Sequence, residues 1–148
     1  MKGERRLVER ALLRWTKMAE GRRFPRLNEI NHWMMSEDWA NCLLITVQSP
    51  VELSHFTAVG ENLAVALCPG DTLAGVLLSH LPWVVSSRCC LIVEGGATLR
   101  SVPILYRGAL LPLSEDGGAI DHVLGAANHR ALIPDEAPTK QSIRKRWI

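Results

Sequence analysis

The chain has 148 residues, the usual size of one folded domain. Hydrophobic residues make up 47% and charged residues 22%, which is typical of a globular protein and argues against disorder or a membrane class. The amino terminus lacks the apolar core of a secretory signal, and no apolar stretch reaches the roughly 20 residues of a membrane span. We therefore expect a soluble, cytoplasmic protein with one main domain.

The net charge of +2 is distributed unevenly along the chain. Residues 1–26 contain nine Lys and Arg against three Asp and Glu, residues 27–139 contain four against twelve, and residues 140–148 contain four against none. Basic ends therefore flank an acidic body. Lys and Arg can neutralise phosphates, but the acidic body opposes a nucleic-acid duplex and no recognition-helix motif is present.

The first predicted element is a basic amphipathic helix within residues 1–26. Gly21 and Pro25 end it. Its apolar positions recur at helical spacing: Leu7, Val8, Ala11, Leu12, Trp15, Met18 and Ala19. At roughly 25 cal/mol per Å², this stripe is too apolar to remain in water. The helix packs on its own domain or forms a dimer seam through Leu7, Val8, Leu12 and Trp15, and we favour the seam.

Residues 27–132 predict an α+β domain. Its first two strands are expected at 39–48 and 53–59, because both are rich in β-forming residues. A helical middle follows, in which Asp71 caps a helix and Pro82 interrupts it or opens the next one. Residues 83–94 suit either a strand or a helix.

The last third of the domain predicts three more strands, at 97–102, 103–113 and about 119–129. Turn signals occur at Arg107-Gly108 and at residues 115–118. Residues 133–148 are polar and contain prolines and basic residues, which predicts a flexible basic tail.

Four short motifs follow one another between residues 12 and 125. They are Leu12-Leu13-Arg14-Trp15, Phe56-Thr57-Ala58-Val59-Gly60, Gly70-Asp71-Thr72-Leu73-Ala74-Gly75 and Leu111-Pro112-Leu113-Ser114-Glu115-Asp116-Gly117. Their order resembles that of a PAS-like family of small alphaproteobacterial proteins with a Leu-Pro-Leu-Ser-x-Asp-Gly motif. The resemblance implies a PAS-like fold, in which helices line one face of a five-stranded antiparallel sheet. It implies sensing or protein interaction rather than a reaction, because the family has no shared catalytic residues.

No residue pattern in the chain indicates catalysis. The five histidines lack metal-site spacing, and neither a nucleophile motif nor the Lys of a phosphate loop is present. The cysteines lie in apolar surroundings, as reduced, buried thiols do: Cys42, Cys68, Cys89 and Cys90. We expect no enzyme and no metal site, and the sequence leaves any cofactor unknown.

A ligand pocket between helix and sheet is a further expectation. Its candidate lining residues are Trp83, Arg88 and Tyr106, and His80 is the residue to test as a haem or metal ligand. A buried Arg88 would need an anionic partner from the protein or from a ligand. Core packing is the alternative for each residue.

The sequence thus predicts a non-catalytic, PAS-like sensory or regulatory domain that acts in signal transduction. Its expected partners are a signalling protein and a second copy of the chain, in a homodimer. The alternative is a small-ligand or haem-binding sensor of the same fold, and the second alternative is a nucleic-acid-associated regulator that uses the basic ends. Three units are expected: a basic helix over 1–26, a PAS-like domain over 27–132 and the tail over 133–148.

Overall fold

The computed structural model describes residues 2–67, 70–133 and 142–146. In chain order the elements are α1 (Lys2–Ala19), α2 (Asn31–Met34), β1 (Cys42–Thr46), β2 (His55–Val59), β3 (Ala66–Leu67), β4 (Asp71–Thr72), α3 (Leu73–Leu78), α4 (Leu81–Ser87), β5 (Cys90–Leu99), β6 (Val102–Leu113), β7 (His122–Ala131) and β8 (Ser142–Arg146). Short 3₁₀ turns occupy Leu27–Ile30, Glu37–Asn41, Val51–Leu53 and Glu61–Leu63. Within the described ranges, none of the helices has the length and apolar character needed to cross a bilayer.

The strands form one six-stranded sheet in the order β2-β1-β7-β6-β5-β8, and β3 and β4 form a separate pair. Every neighbouring pair in the long sheet is antiparallel. Five of the six strands, β1, β2, β5, β6 and β7, make up the antiparallel sheet that the sequence predicts. The predicted α+β class is therefore confirmed.

The amphipathic pattern predicts α1 correctly, and its apolar side packs against β6 and β7 of the same chain. Val8 is 0% and Trp15 is 1% exposed. The Trp15 indole Nε1 donates a hydrogen bond to the Pro112 carbonyl oxygen at 2.8 Å. The helix ends where Glu20 and Gly21 take left-handed φ angles of 48° and 84°.

The residues expected in a dimer seam all lie inside this intramolecular contact. Leu7, Val8, Leu12 and Trp15 are each at most 6% exposed. The structure therefore has α1 packed on its own domain, which was the other alternative. A dimer through these four side chains would require α1 to leave the sheet, whereas Leu13 on the outer side is 72% exposed.

The two faces of the sheet carry different helices. Gly108 on β6 faces α3, because a Cβ built there would lie 2.9 Å from Leu77 Cδ2. Gly108 pairs with Ala127, whereas Cys42 pairs with the preceding residue, Ala126. Because successive residues of a strand point to opposite faces of the sheet, Cys42 points to the face opposite α3. Its neighbours there include Trp33 of α2 and Arg14 of α1. The fold thus has three layers, with the sheet in the middle.

The helical middle of the chain divides into two short helices. Thr72, and not the predicted Asp71, caps α3, because its side chain accepts a hydrogen bond from the Gly75 amide at 3.0 Å. Pro82 lies in the first turn of α4, where its missing N–H costs no helical hydrogen bond. Residues 83–94 hold both the end of α4 and the start of β5, which explains their ambiguous pattern.

The β5–β6 hairpin turns at a place that the sequence did not indicate. Arg100 and Ser101 take left-handed φ angles of 50° and 68°, so the strand predicted at 97–102 is wrong in its second half. The turn predicted at Arg107-Gly108 is also wrong, since both residues lie in the middle of β6. Gly108 allows α3 to approach the sheet closely and does not bend the chain.

The predicted basic tail contains a strand. Ser142–Arg146 form β8 and pair antiparallel with Cys90–Glu94 of β5. The expectation of a flexible tail therefore does not describe β8. Residues 134–141 and 147–148 of that tail lie outside the described residues.

Candidate functional site

Among the concave regions lined by described residues, two have a mainly apolar lining and are candidate ligand sites. The first, which we call the helix–sheet cavity, has a volume of about 410 Å³ and is lined by Leu67, Gly70, Asp71, Val76, Gly96, Ala97 and Tyr106. The second, which we call the basic pocket, has a volume of about 590 Å³ and is lined by Trp15, Thr16, Ala19, Gly21, Arg22, Arg23, Phe24, Arg88, Cys89 and Cys90. Both volumes lie in the range of small-molecule sites, about 300–1,000 Å³.

The structure does not bring the four predicted ligand residues into one site. Tyr106 lines the helix–sheet cavity, whereas Arg88 lines the basic pocket. His80 and Trp83 are half-buried at the start of α4 and are among the lining residues of neither region. The residues expected in one helix–sheet pocket, Trp83, Arg88 and Tyr106, therefore lie at different places in the fold, and ligand binding by any of them or by His80 stays a prediction.

Tyr106 is the polar group at the sheet side of the helix–sheet cavity. Its side chain is 5% exposed and lies across Gly95, where an added Cβ would clash with the Tyr106 hydroxyl oxygen. Burial raises the pKa of Tyr106 above its usual value of 10.0, so the phenol stays protonated and can donate a hydrogen bond. The cavity thus offers apolar walls, one phenol and the carboxylate of Asp71 at its exposed edge.

His80 has the properties of a neutral imidazole. Burial lowers the pKa of His80 below its usual value of 6.5, so the ring carries no charge at neutral pH. A neutral ring can bind a metal, but in the described part of the chain no group of three or more His, Cys, Asp or Glu side chains could hold one. His80 therefore does not belong to a three-ligand metal site in that part of the chain.

The basic pocket is built where the end of α1 meets the junction between α4 and β5. The Arg88 guanidinium carbon lies 5.2 Å and the Arg23 guanidinium carbon 5.5 Å from the centre of the Phe24 ring. Arg88 donates hydrogen bonds to the carbonyl oxygens of Gly118 and, at 3.5 Å, Gly117. Two guanidinium groups thus stack on one aromatic ring at the wall of the pocket.

The Leu-Pro-Leu-Ser-Glu-Asp-Gly motif has a structural role in this fold. The Ser114 hydroxyl accepts a hydrogen bond from the Gly117 amide at 2.9 Å and donates one to the Ala119 carbonyl at 2.6 Å. Asp116 Oδ1 accepts hydrogen bonds from the Gly118 amide at 2.7 Å and the Ala119 amide at 3.1 Å, and these bonds hold the pKa of Asp116 below its usual value. The motif therefore closes the turn between β6 and β7.

The thiols behave as the sequence predicts where they are described. Cys42, Cys89 and Cys90 are buried and form no disulfide, and Cys68 lies outside the described residues. Burial raises the pKa of Cys42 to about 12, so this thiol stays protonated and unreactive.

Sequence reasoning missed Phe24, Arg22 and Arg23 as pocket residues. They follow Gly21 directly, as a basic pair and an aromatic residue at the end of α1. That local pattern was the available signal, but the sequence gives no indication that Arg88, 65 residues after Arg23, completes the pocket.

The chain was compared with protein-family models, with curated proteins and with solved structures. None of the three comparisons finds a match.

Proposed function

We propose that this chain is a PAS-like regulatory domain that works by binding rather than by catalysis. One observation carries the proposal: β1 and β2 precede the helical middle, α3 packs on one face, and β5, β6 and β7 complete an antiparallel sheet. The resemblance to the PAS-like family implies the same succession of two strands, helices and three strands. On this proposal α1 and β8 are additions to a PAS-like core.

The domain is proposed to act in signal transduction by contact with a signalling protein and with a second copy of itself. Because the sheet covers the apolar stripe of α1, self-association through this helix has to use its other side. That side presents Leu13, which is 72% exposed, among the exposed basic residues Arg6, Arg10 and Lys17. An exposed leucine within a basic surface suits a partner with an apolar contact and an acidic rim.

Sedimentation velocity over a wide range of protein concentrations tests self-association. We expect the wild-type chain to form dimers that Leu13→Asp disrupts, because a charge would be buried in the contact. Leu53→Asp is the matched control, since Leu53 is 63% exposed at a different place on the surface. A wild-type chain that stays monomeric throughout, or equal effects of the two variants, contradicts this mode of association.

Cross-linking in the source cells, followed by mass spectrometry, tests the regulatory part of the proposal. We expect cross-links from the exposed Lys17 of α1 to a protein of the signalling machinery, and we expect Leu13→Asp to weaken them. Conversion of a metabolic substrate by the purified chain would instead make it a catalyst. Either that turnover or the lack of any signalling partner would contradict the proposal.

A small-ligand sensor of the same fold is the second candidate, and the helix–sheet cavity supports it. Its volume of about 410 Å³ lies between α3 and the sheet, with the Tyr106 phenol as the donor that fixes a ligand. His80 is outside the lining, which favours a small apolar ligand with one acceptor group over a haem held by His80.

Native mass spectrometry of the gently purified chain tests this candidate. We expect a bound small molecule that is lost in Ala97→Leu, because the larger side chain would fill the cavity, and that is weakened in Tyr106→Phe. A wild-type chain that carries no ligand, or one whose ligand persists in Ala97→Leu, counts against the sensor.

A further inference from the structure

The basic pocket concentrates positive charge at one place on the surface. Arg22, Arg23 and Arg88 contribute to its lining, and no Asp or Glu does. Arg22 is paired with Glu29 at 2.7 Å, and this contact lowers the pKa of the Glu29 carboxyl. In the ranges that the structure describes, neither Arg23 nor Arg88 has a carboxylate within ion-pair distance. Two positive charges thus lack an acidic partner there.

The two arginines are held in place by contacts that leave their charge in the pocket. Both stack on the Phe24 ring, and one Arg23 nitrogen donates to the Arg88 carbonyl oxygen at 3.4 Å. Arg88 donates to two backbone carbonyls, those of Gly117 and Gly118. Carbonyl dipoles orient a guanidinium without neutralising it, and each guanidinium has five N–H donors. Donors therefore remain for a ligand on both side chains.

The backbone at Arg88 also favours a different residue. Arg88 follows the last turn of α4 with φ 59° and ψ 35°, the left-handed conformation that usually places a glycine at a helix end. A glycine there would relieve the backbone but would remove the guanidinium from the pocket wall. The chain has an arginine at a position where the local conformation alone would select glycine.

We propose that the basic pocket binds a small molecule carrying a phosphoryl group, with Arg23 and Arg88 as its ligands. Arginine matches phosphate oxygens with paired N–H donors, and two guanidinium groups suit a dianion. The ring of Phe24 sets the spacing of the two groups, and the exposed residues Thr16 and Gly21 line the pocket beside them, where the rest of the molecule can lie. The site lies apart from the helix–sheet cavity, so it does not depend on the regulatory role proposed above.

Titration with pyrophosphate and with inorganic phosphate, followed by amide NMR spectra, tests the site. Sodium chloride at equal ionic strength provides the background. We expect saturable shifts at the amides of Gly21, Phe24 and Cys89 in the wild-type chain. In Arg23→Gln we expect the Kd for pyrophosphate to rise about tenfold or more, since a charge-assisted hydrogen-bonded contact is lost.

Two further variants make the result specific. Arg100→Gln removes one positive charge from the exposed turn between β5 and β6, outside the pocket lining, so its Kd should stay within about twofold of the wild type. Arg88→Lys keeps the charge but loses the planar pair of donors, and its Kd should rise. Arg23 is exposed, so Arg23→Gln keeps the fold and decides the outcome if Arg88→Lys does not fold.

Three results would overturn the proposal. One is the lack of amide shifts beyond those caused by sodium chloride. Another is an Arg23→Gln chain that binds pyrophosphate as the wild type does. The third is equal weakening by Arg100→Gln and Arg23→Gln, which would indicate attraction by net charge alone. None of these measurements involves dimerisation or a protein partner, so a failure here is separate from a failure of the proposed function.

Discussion

Replacing Leu12 by Ala tests which surface covers the apolar stripe of α1. Leu12 is 6% exposed and packs within its own chain, so the substitution opens a cavity. Such Leu→Ala changes lower the free energy of unfolding by about 2–5 kcal/mol. At about 2–4 °C per kcal/mol for a domain of this size, the melting temperature should fall by roughly 4–20 °C. The neighbouring Leu13 is 72% exposed, and Leu13→Ala should change stability by no more than about 0.5 kcal/mol.

Urea unfolding, followed by circular dichroism, is the assay, at two protein concentrations about fiftyfold apart. Intramolecular cover predicts that the midpoints of wild type and Leu12→Ala do not depend on concentration. A wild-type midpoint that rises with concentration, together with loss of that rise in Leu12→Ala, would show that a second copy covers the stripe. Equal losses in the two leucine variants would also refute the packing described for α1.

Three other substitutions test the sheet and the turn after β6. Gly108→Ala places a Cβ 2.9 Å from Leu77 Cδ2, so the free energy of unfolding should fall by about 1–3 kcal/mol. The control Gly118→Ala, in the exposed turn, should lower it clearly less. Equal urea midpoints of the two variants would contradict the close approach of α3. Ser114→Ala removes a buried hydroxyl with three hydrogen bonds, to Asp116, Gly117 and Ala119, and should lower the free energy of unfolding by about 1–3 kcal/mol. An unchanged urea midpoint would show that the backbone alone holds the turn. The pKa of Asp116 is lowered in the folded chain, so its carboxylate stabilises the fold above the ordinary value of 3.8 and loses this effect as the pH falls through and below that value. The stability gap between wild type and Asp116→Asn should therefore close in acid, and a gap that persists at low pH would show that the charge is not its cause.

The extent to which the sequence predicts this fold depends on how local the deciding interaction is. The spacing of apolar residues in α1 is a local property, and it predicts the helix and its buried side. What covers that side depends on β6 and β7, about a hundred residues away, as in the bond from Trp15 to Pro112. The spacing of apolar residues therefore predicts that another element packs on the apolar stripe, but it does not identify that element.

The errors in the second half of the chain have a different physical cause. Gly108 is a residue typical of turns, but in this fold it lets Leu77 approach the sheet, which is a tertiary contact. The true turn uses Arg100 and Ser101 in left-handed conformations, although neither residue type favours them. A glycine can therefore indicate either a turn or the close approach of another element, and a single sequence does not distinguish the two.

The candidate sites were predictable only in part. Arg88 was singled out because a buried arginine requires an anion, and the structure gives it a place in a basic pocket. Phe24 and Arg23 join it only through the fold, since Arg23 lies 65 residues before Arg88 in the sequence. Tyr106 was predicted for the same pocket but lines the other cavity, because its strand position directs it across Gly95.

The strand β8 has a consequence for the behaviour of the chain at high concentration. Without it, β5 would be the last strand of the sheet, and its ten residues would present unpaired amides and carbonyls to other molecules. Pairing with Ser142–Arg146 uses these groups along Cys90–Glu94, the part of β5 that is also most apolar. The strand β8 thereby shields a stretch that could otherwise template aggregation. We expect loss of Ser142–Arg146 to lower the solubility of the chain before it lowers the free energy of unfolding.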